Sequence, residues 1–199
     1  MFCSFKEIRA RTYIQRHYGT GLEFIQTWIR YRDGFGDMFS TAEQFWLGNQ
    51  YLYYITYYSS NYTLVSEMGK RDRNGIRQQE YTQFYVLSEV SEFRLFFNAS
   101  STPLSGLPAL SDCLIFAEHT PFSTFDHDSS LDECESGNIH GSCWWFAYSP
   151  INCGHCNPSG VLVQFNDRRR TDVENEEFLI TDWSPWYTEM WLECRVGRC

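Results

Sequence analysis

Between Phe122 and Gly160 the chain takes on a character that the remainder is arranged to support. The run Phe122-Ser-Thr-Phe-Asp126-His-Asp128-Ser-Ser130-Leu-Asp132-Glu-Cys134 carries short oxygen-bearing side chains at alternate positions. Carboxylate and carbonyl oxygens at that density suit a hard cation such as calcium, although two carboxylates alone bind weakly. Beyond Cys134 the chain reads Gly141-Ser-Cys143, Trp144-Trp145-Phe146, Asn152-Cys153 and Asn157-Pro-Ser-Gly160. The chemistry is that of a small cation loop beside a disulfide and a pair of tryptophans.

Cysteine usage sets the compartment. Cys3, Cys113, Cys134, Cys143, Cys153, Cys156, Cys194 and Cys199 make an even set of 8 in a chain dense in tyrosine and tryptophan. That pattern favours an oxidising environment, hence a secreted, extracellular chain. Asn61-Tyr-Thr63 and Asn98-Ala-Ser100 satisfy the glycosylation sequon, as a secreted surface would. With 199 residues, 43% of them hydrophobic and 18% aromatic, the chain can bury one good core and is too short for two ordinary domains. A net charge of -9 with only 16 Lys and Arg argues against nucleic acid or an anionic membrane as the main partner. The one compact basic run, Arg168-Arg169-Arg170, reads as a solvated loop. The sequence has no 18-residue apolar run, so no membrane span is expected. Met1-Phe-Cys-Ser-Phe-Lys-Glu-Ile-Arg9 lacks the apolar centre of a signal peptide. The expectation is a fragment of a longer secreted protein or a chain whose first exon is missing.

The pattern of elements is mixed. Thr20 with Glu23 is a capping-box pair, and Leu22, Ile25 and Ile29 share one face of a short predicted helix that Gly34 ends. Ser40 with Glu43 announces a second helix start. Tyr62 to Val65, Tyr81 to Leu87 and Glu92 to Phe97 are short, aromatic and β-branched, and read as antiparallel strands. Gly69 to Gly75 is a polar turn, and Ser100 to Asp112 is a loop into the functional subdomain. A last strand puts Met190, Leu192, Cys194 and Val196 on one face and Glu189, Trp191, Glu193 and Arg195 on the other.

Taken in order, these motifs resemble the fibrinogen C-terminal domain family, the fold of ficolins, tachylectins, tenascins and angiopoietins. Phe122-Ser-Thr, the alternating aspartates, Cys134, Trp144-Trp145, Cys153 and Asn157 to Gly160 carry the resemblance. So do Cys3, Gln15-Arg16, Phe24, Trp28, Tyr31, Gly34-Phe-Gly36, Gln44-Phe-Trp-Leu-Gly48, Trp183-Ser-Pro-Trp186 and Met190 to Arg195. The resemblance implies an α+β fold, with a central twisted antiparallel sheet, short flanking helices and a loop-rich calcium and ligand subdomain. Residues 1–99 would form the sheet and helices, 100–182 the loop-rich subdomain, and 183–199 a final strand returning to the sheet. The cysteine that pairs with Cys3 in the family lies upstream of this chain. An absent N-terminal subdomain would expose an edge of the central sheet.

The resemblance also implies a site. Counted back from Cys134, calcium falls to the Asp126 and Asp128 carboxylates and the Ser130 and Asp132 carbonyls. Counted forward from Phe122-Ser-Thr, Asp128 and Ser130 become the first two ligands and a carboxylate is lost, because this loop is two residues shorter than usual. Cys134 pairs with Cys153, and the ligand pocket falls on Trp145, Phe146, Cys153, Gly154, His155 and Asn157. An apolar lining takes the methyl of an acetylated sugar or similar ligand while polar groups orient the rest. Three departures remove polar groups from that pocket: Phe146 stands for a tyrosine, Gly154 for a histidine now found at His155, and Leu162 for another tyrosine. The implied activity is extracellular recognition in the manner of a lectin, with a role in innate defence. The alternative is a matrix or receptor-ligand module that binds protein. Oligomerisation would run through segments outside this chain.

Other chemistries are less well supported. Cys153-Gly-His-Cys156 spells a disulfide-isomerase motif, but Pro158 and Gly160 follow where that motif opens a helix. Cys143, Cys153, Cys156, His140 and His155 are zinc ligands by type, not by spacing. Cys143 and Cys156 read better as a second bridge around the pocket, with Cys113, Cys194 and Cys199 as further candidates. No nucleophile elbow, metalloprotease helix or phosphate loop occurs, so the chain is not read as an enzyme.

Overall fold

A computed structural model describes residues 3–6, 9–18, 22–59, 61–69, 76–101, 114, 117–129, 143–146, 158–159 and 187–195, with 3–6, 99–101 and 195 described as backbone only. Among these, eight strands form one antiparallel sheet. Its order is β3 (Phe35–Gly36), β4 (Phe45–Trp46), β2 (Arg9–Tyr18), β10 (Tyr187–Arg195), β5 (Thr63–Gly69), β6 (Arg77–Thr82) and β9 (Ala99–Ser101). A further strand, β1 (Cys3–Lys6), pairs with the first half of β2 beside β4. The small pair β7 (Tyr85–Val86) and β8 (Leu95–Phe96) stands apart from this sheet. The helices are α1 (Trp28–Asp33) and α2 (Asn49–Thr56), with a 3-10 turn at Glu89–Ser91.

The outer side of β2 is paired along both halves, by β1 from Arg9 to Thr12 and by β4 at Gln15 and Arg16. Among the described residues the outermost strands on this side of the sheet are β1 and β3.

β10 runs through the middle of the sheet, pairing Trp191 with Tyr13 on one side and Val65 on the other. A one-residue offset between Met190 and Trp191 leaves Ile14 unmatched on β2. Its carbonyl instead accepts the Leu47 N–H at 2.8 Å. Such a bulge shifts the alternation of side chains. Here Ile14 joins the core while Tyr13, Arg11 and Arg9 continue the face that holds Arg16. On that face Arg16 meets Glu189 at 2.9 Å, and Glu193 takes both Arg9 and Arg11 at 2.9 Å and the Trp191 indole N–H. Burial acts to raise the Glu193 pKa, but hydrogen bonds from Arg9 and Trp191 and the charges of Arg11 and Arg9 together hold it below the usual carboxylate range. A buried carboxylate persists only when paired in this way.

The opposite face of β10, with Met190 and Leu192, packs on the aromatic core. Trp46 is fully buried and lies against Tyr31, Phe122, Trp144 and Trp145. α1 enters this core through Trp28 and Tyr31, and of the predicted Leu22, Ile25 and Ile29 face only Leu22 packs against it. Ile25 and Ile29 are instead exposed. The helix is only six residues long, too short for its apolar period to select a face; ring packing selects it. The second predicted start also differs. Ser40 Oγ accepts the N–H groups of Ala42 and Glu43, but it closes a turn, and the helix begins at Asn49 after Gly48. Hydroxyl-to-backbone bonds of this kind serve turns as readily as helix ends.

Candidate binding loop and its tryptophan support

Phe122 anchors the acidic loop. It is fully buried between Tyr31 at 5.0 Å and Trp145 at 4.8 Å, and its N–H bonds to the Glu92 carbonyl at 2.8 Å. Burying a phenyl ring contributes about 1.5–3 kcal/mol. Ser123 and Trp144 then exchange two backbone bonds, N–H to carbonyl in each direction at 3.0 and 3.2 Å. This bridge seats the loop directly on the tryptophan segment. Thr124 and His127 close a tight turn by the same reciprocal bonding, with Phe125 and Asp126 at its tip. The Ser129 N–H returns to Ser123 Oγ at 3.0 Å.

Asp126 reaches across 98 residues to α1. Its Oδ1 accepts the Trp28 N–H at 2.9 Å and the Thr124 hydroxyl at 2.8 Å. Two donors fill the two lone pairs of that oxygen, so an ion would meet this carboxylate only through its other oxygen. The remaining donor chemistry is hard oxygen from short side chains, which fits calcium in a reduced form. Ser130 and Asp132 lie outside the described residues. Among the described residues no group of three or more His, Cys, Asp and Glu side chains is placed to hold a metal.

Around the loop the structure brings in residues that sequence reading assigned to the core or left aside. His127 stacks on Trp28 at 4.1 Å, and its Nε2 lies 3.7 Å from Glu92. The Trp28 indole N–H donates to Glu89 at 2.8 Å. None of these has a local sequence signal, since each contact joins segments far apart in the chain.

Of the predicted pocket residues, Trp145 and Phe146 are described, and both are buried, at 3% and 1% exposure. The Trp145 indole N–H donates to the Phe93 carbonyl at 2.8 Å. Cys153, Gly154, His155 and Asn157, and the Cys134 to Cys153 pairing, fall outside the described residues. Cys143 corrects an expectation: it is a free thiol, so it forms no bridge with Cys156. Its Sγ is buried and donates to the Gln26 carbonyl at 3.2 Å, and burial pushes its pKa up to about 11. Cys194 is disulfide-bonded to a cysteine outside the described side chains. Asn61 and Asn98 are both exposed.

The far end of the predicted pocket segment is held by a clamp not foreseen from the sequence. The Pro158 carbonyl accepts Thr188 Oγ1 at 2.7 Å and Gln15 Nε2 at 3.0 Å, and lies 3.4 Å from His17 Nδ1. Gln15 Nε2 also reaches Ser159 Oγ at 3.1 Å. Burial lowers the His17 pKa to about 4, against the bond to Pro158 that acts to raise it. A neutral ring donating from Nδ1 is therefore the form at neutral pH.

Over residues 1–193 the sequence matches the family described as fibrinogen beta and gamma chains, C-terminal globular domain. The chain belongs to this fibrinogen C-terminal family. This fibrinogen-like domain is 34% identical to ficolin-3 of Homo sapiens over 149 residues, 73% of this chain and 44% of that protein. It is 26% identical to the fibrinogen gamma chain of Petromyzon marinus over 208 residues, 98% of this chain and 46% of that protein. It thus spans under half the length of these curated relatives. Among solved structures it is similar to the fibrinogen-like globe domain of human ANGPTL2, with a TM-score of 0.74 and 23% identity over 92% of this chain and 79% of that one. It is equally similar to lamprey fibrin D-dimer in complex with the peptide ligand Gly-His-Arg-Pro-amide, with a TM-score of 0.74 and 24% identity over 100% of this chain and 65% of that one. At these identities the two structures establish the fold alone, the α+β fibrinogen-like globe. The family is one of non-enzymatic binding and recognition domains. Among the described residues no helix is long and apolar enough to cross a membrane.

Proposed function

We propose that the domain is a secreted, extracellular recognition module that binds an acetylated sugar or a similar acetylated ligand beside the Phe122 to Ser129 loop. The observation that carries this reading is the Ser123 to Trp144 bridge, which sets the acidic loop against the tryptophan segment. The likeness to ficolin-3 supports it. Trp145, Phe146, Cys153, Gly154, His155 and Asn157 are the ligand residues of this reading, with Cys134 to Cys153 closing the segment. Calcium holds the loop in shape and does no chemistry. Engagement of Asp126 by Trp28 and Thr124 supports the forward count, in which Asp128 is the first calcium ligand and Ser130 the second. Affinity for calcium is correspondingly low, since a carboxylate is replaced by a serine.

The test is retention of the oxidised protein on a resin bearing acetylated sugar. Elution by free acetylated sugar and by chelator is the expected outcome. Passage through the resin unretained sinks the lectin-like reading and moves the weight to a second one, a matrix or receptor-ligand module that binds protein. That second reading has its own support: Trp145 and Phe146 are buried, and Trp145 is committed to Phe93, so the aromatic segment serves the core.

A further inference from the structure

α2 and the turn that follows it carry an aromatic surface that neither the sheet nor the acidic loop uses. Tyr51, Tyr54 and Tyr57 are about half exposed, and Tyr58 is 80% exposed. Tyr57 and Tyr58 meet edge to face at 5.1 Å, and Tyr53 joins Tyr57 at 5.0 Å. From Gln44 to Ser66 the sequence contains no Asp, Glu, Lys or Arg. An exposed aromatic surface without charge gives a charged partner nothing to pair with, and suits a neutral, hydroxylated ligand that has an apolar face.

Such a ligand has an attachment point three residues on. Asn61 is exposed and opens Asn61-Tyr62-Thr63. The chain turns just before it, with the Ser59 N–H bonded to the Thr56 carbonyl at 3.3 Å and the Asn61 N–H to Ser59 Oγ at 3.4 Å. Even fully extended, three residues span only about 10 Å. The Cα atoms of Tyr58 and Asn61 therefore lie within about 10 Å of each other, and both residues are exposed.

We propose that the first N-acetylglucosamine of a glycan on Asn61 docks its apolar CH face on the Tyr58 ring, with Tyr57 bracing that ring from the side. The proposal rests on reading Asn61 as a glycosylated sequon. Stacking removes from water an aromatic ring that the protein leaves exposed, and it ties down the turn between α2 and β5. Among the described residues just before it, the other sequon has no equal platform. Upstream of Asn98, Phe96 is already stacked on Tyr85 at 4.9 Å and Phe97 is buried.

The experiment uses the full chain secreted from a eukaryotic host, with its glycans trimmed enzymatically to a single N-acetylglucosamine. Site occupancy is read by glycopeptide mass spectrometry, and thermal midpoints are compared across a cycle of Asn61→Gln, Tyr58→Ala and the double variant. The sugar is expected to raise the midpoint by about 2–4 °C when Tyr58 is present, the size of shift about 1 kcal/mol makes in a domain this long. It should add nothing in Tyr58→Ala. Tyr58→Phe should keep the increment, and the increment from Asn98→Gln should not depend on residue 58. Equal increments with and without Tyr58, at full occupancy, overturn the docking and leave the sequon reading standing. An unmodified Asn61 overturns both.

Discussion

Asp126 and Asp128 sit two residues apart, yet the loop geometry separates their consequences. Asp126 Oδ1 is filled by the Trp28 N–H and the Thr124 hydroxyl, so it ties the loop to the start of α1 whether or not an ion is present. Asp126→Ala should lower the thermal midpoint in chelator as much as in calcium, by an amount equivalent to about 1–2 kcal/mol for charge-assisted bonds at a partly exposed site. Asp128→Asn should abolish the heat of calcium titration, since an amide is a far weaker ligand for a hard cation than a carboxylate. Calcium heat unchanged in Asp128→Asn would rule out the forward count. The aspartate spacing was readable as acidic and oxygen-rich. That Asp126 would bond the start of a helix 98 residues away was not.

At the scale of elements, two glycines set how α1 and α2 meet. Gly34 ends α1 at φ 92°, and a Cβ there would stand 2.5 Å from the Leu47 carbonyl oxygen. Gly48 precedes α2 at φ 113°, and a Cβ there would stand 2.9 Å from the Gly34 nitrogen. The two backbones touch because neither residue has a side chain. Gly34→Ala should cost at least about 3 kcal/mol, combining left-handed strain with a backbone clash. Chemical denaturation reads this directly, and a loss below about 1 kcal/mol would mean that the two segments part without penalty. The role of Gly34 as a helix end was legible, since its sequence position follows the last aromatic of the helix. The capping pair Ser40 with Glu43 misled, because a hydroxyl that closes a turn leaves the same residue pattern as one that caps a helix; Thr20 lies outside the described residues.

For the whole molecule, the Pro158 clamp joins Pro158 and Ser159 to the centre of the sheet. Gln15 and His17 come from β2 and Thr188 from β10, and all three converge on one carbonyl. His17 is held neutral there, with a pKa lowered to about 4 from 6.5. The unfolded chain takes up this proton first as pH falls. Stability from His17 is therefore complete above about pH 6.5, declines between 6.5 and 4, and levels off below. At about 1.4 kcal/mol per pH unit the window accounts for roughly 3 kcal/mol. Urea unfolding at pH 7 and pH 4.5 should show this slope in the parent and a flatter one in His17→Gln, which keeps a donor without the titration. Identical slopes would mean that other groups govern acid stability.

The sequence by itself determined the class of fold, the aromatic core, the strand pattern of Met190 to Arg195 and the loop character of Phe122 to Ser129. These are local: they follow from side-chain period, turn residues and motif order, which a linear reading preserves. Only the tertiary structure decided that Trp28 and Tyr31 would be the buried face of α1, that Ile14 would be bulged out of register, that β1 and β4 would cover β2, and that Cys143 would remain a free thiol. Each of those outcomes depends on which distant segment arrives as a neighbour. Burial and hydrogen-bond satisfaction are properties of that neighbourhood, and a residue's own sequence context does not contain them.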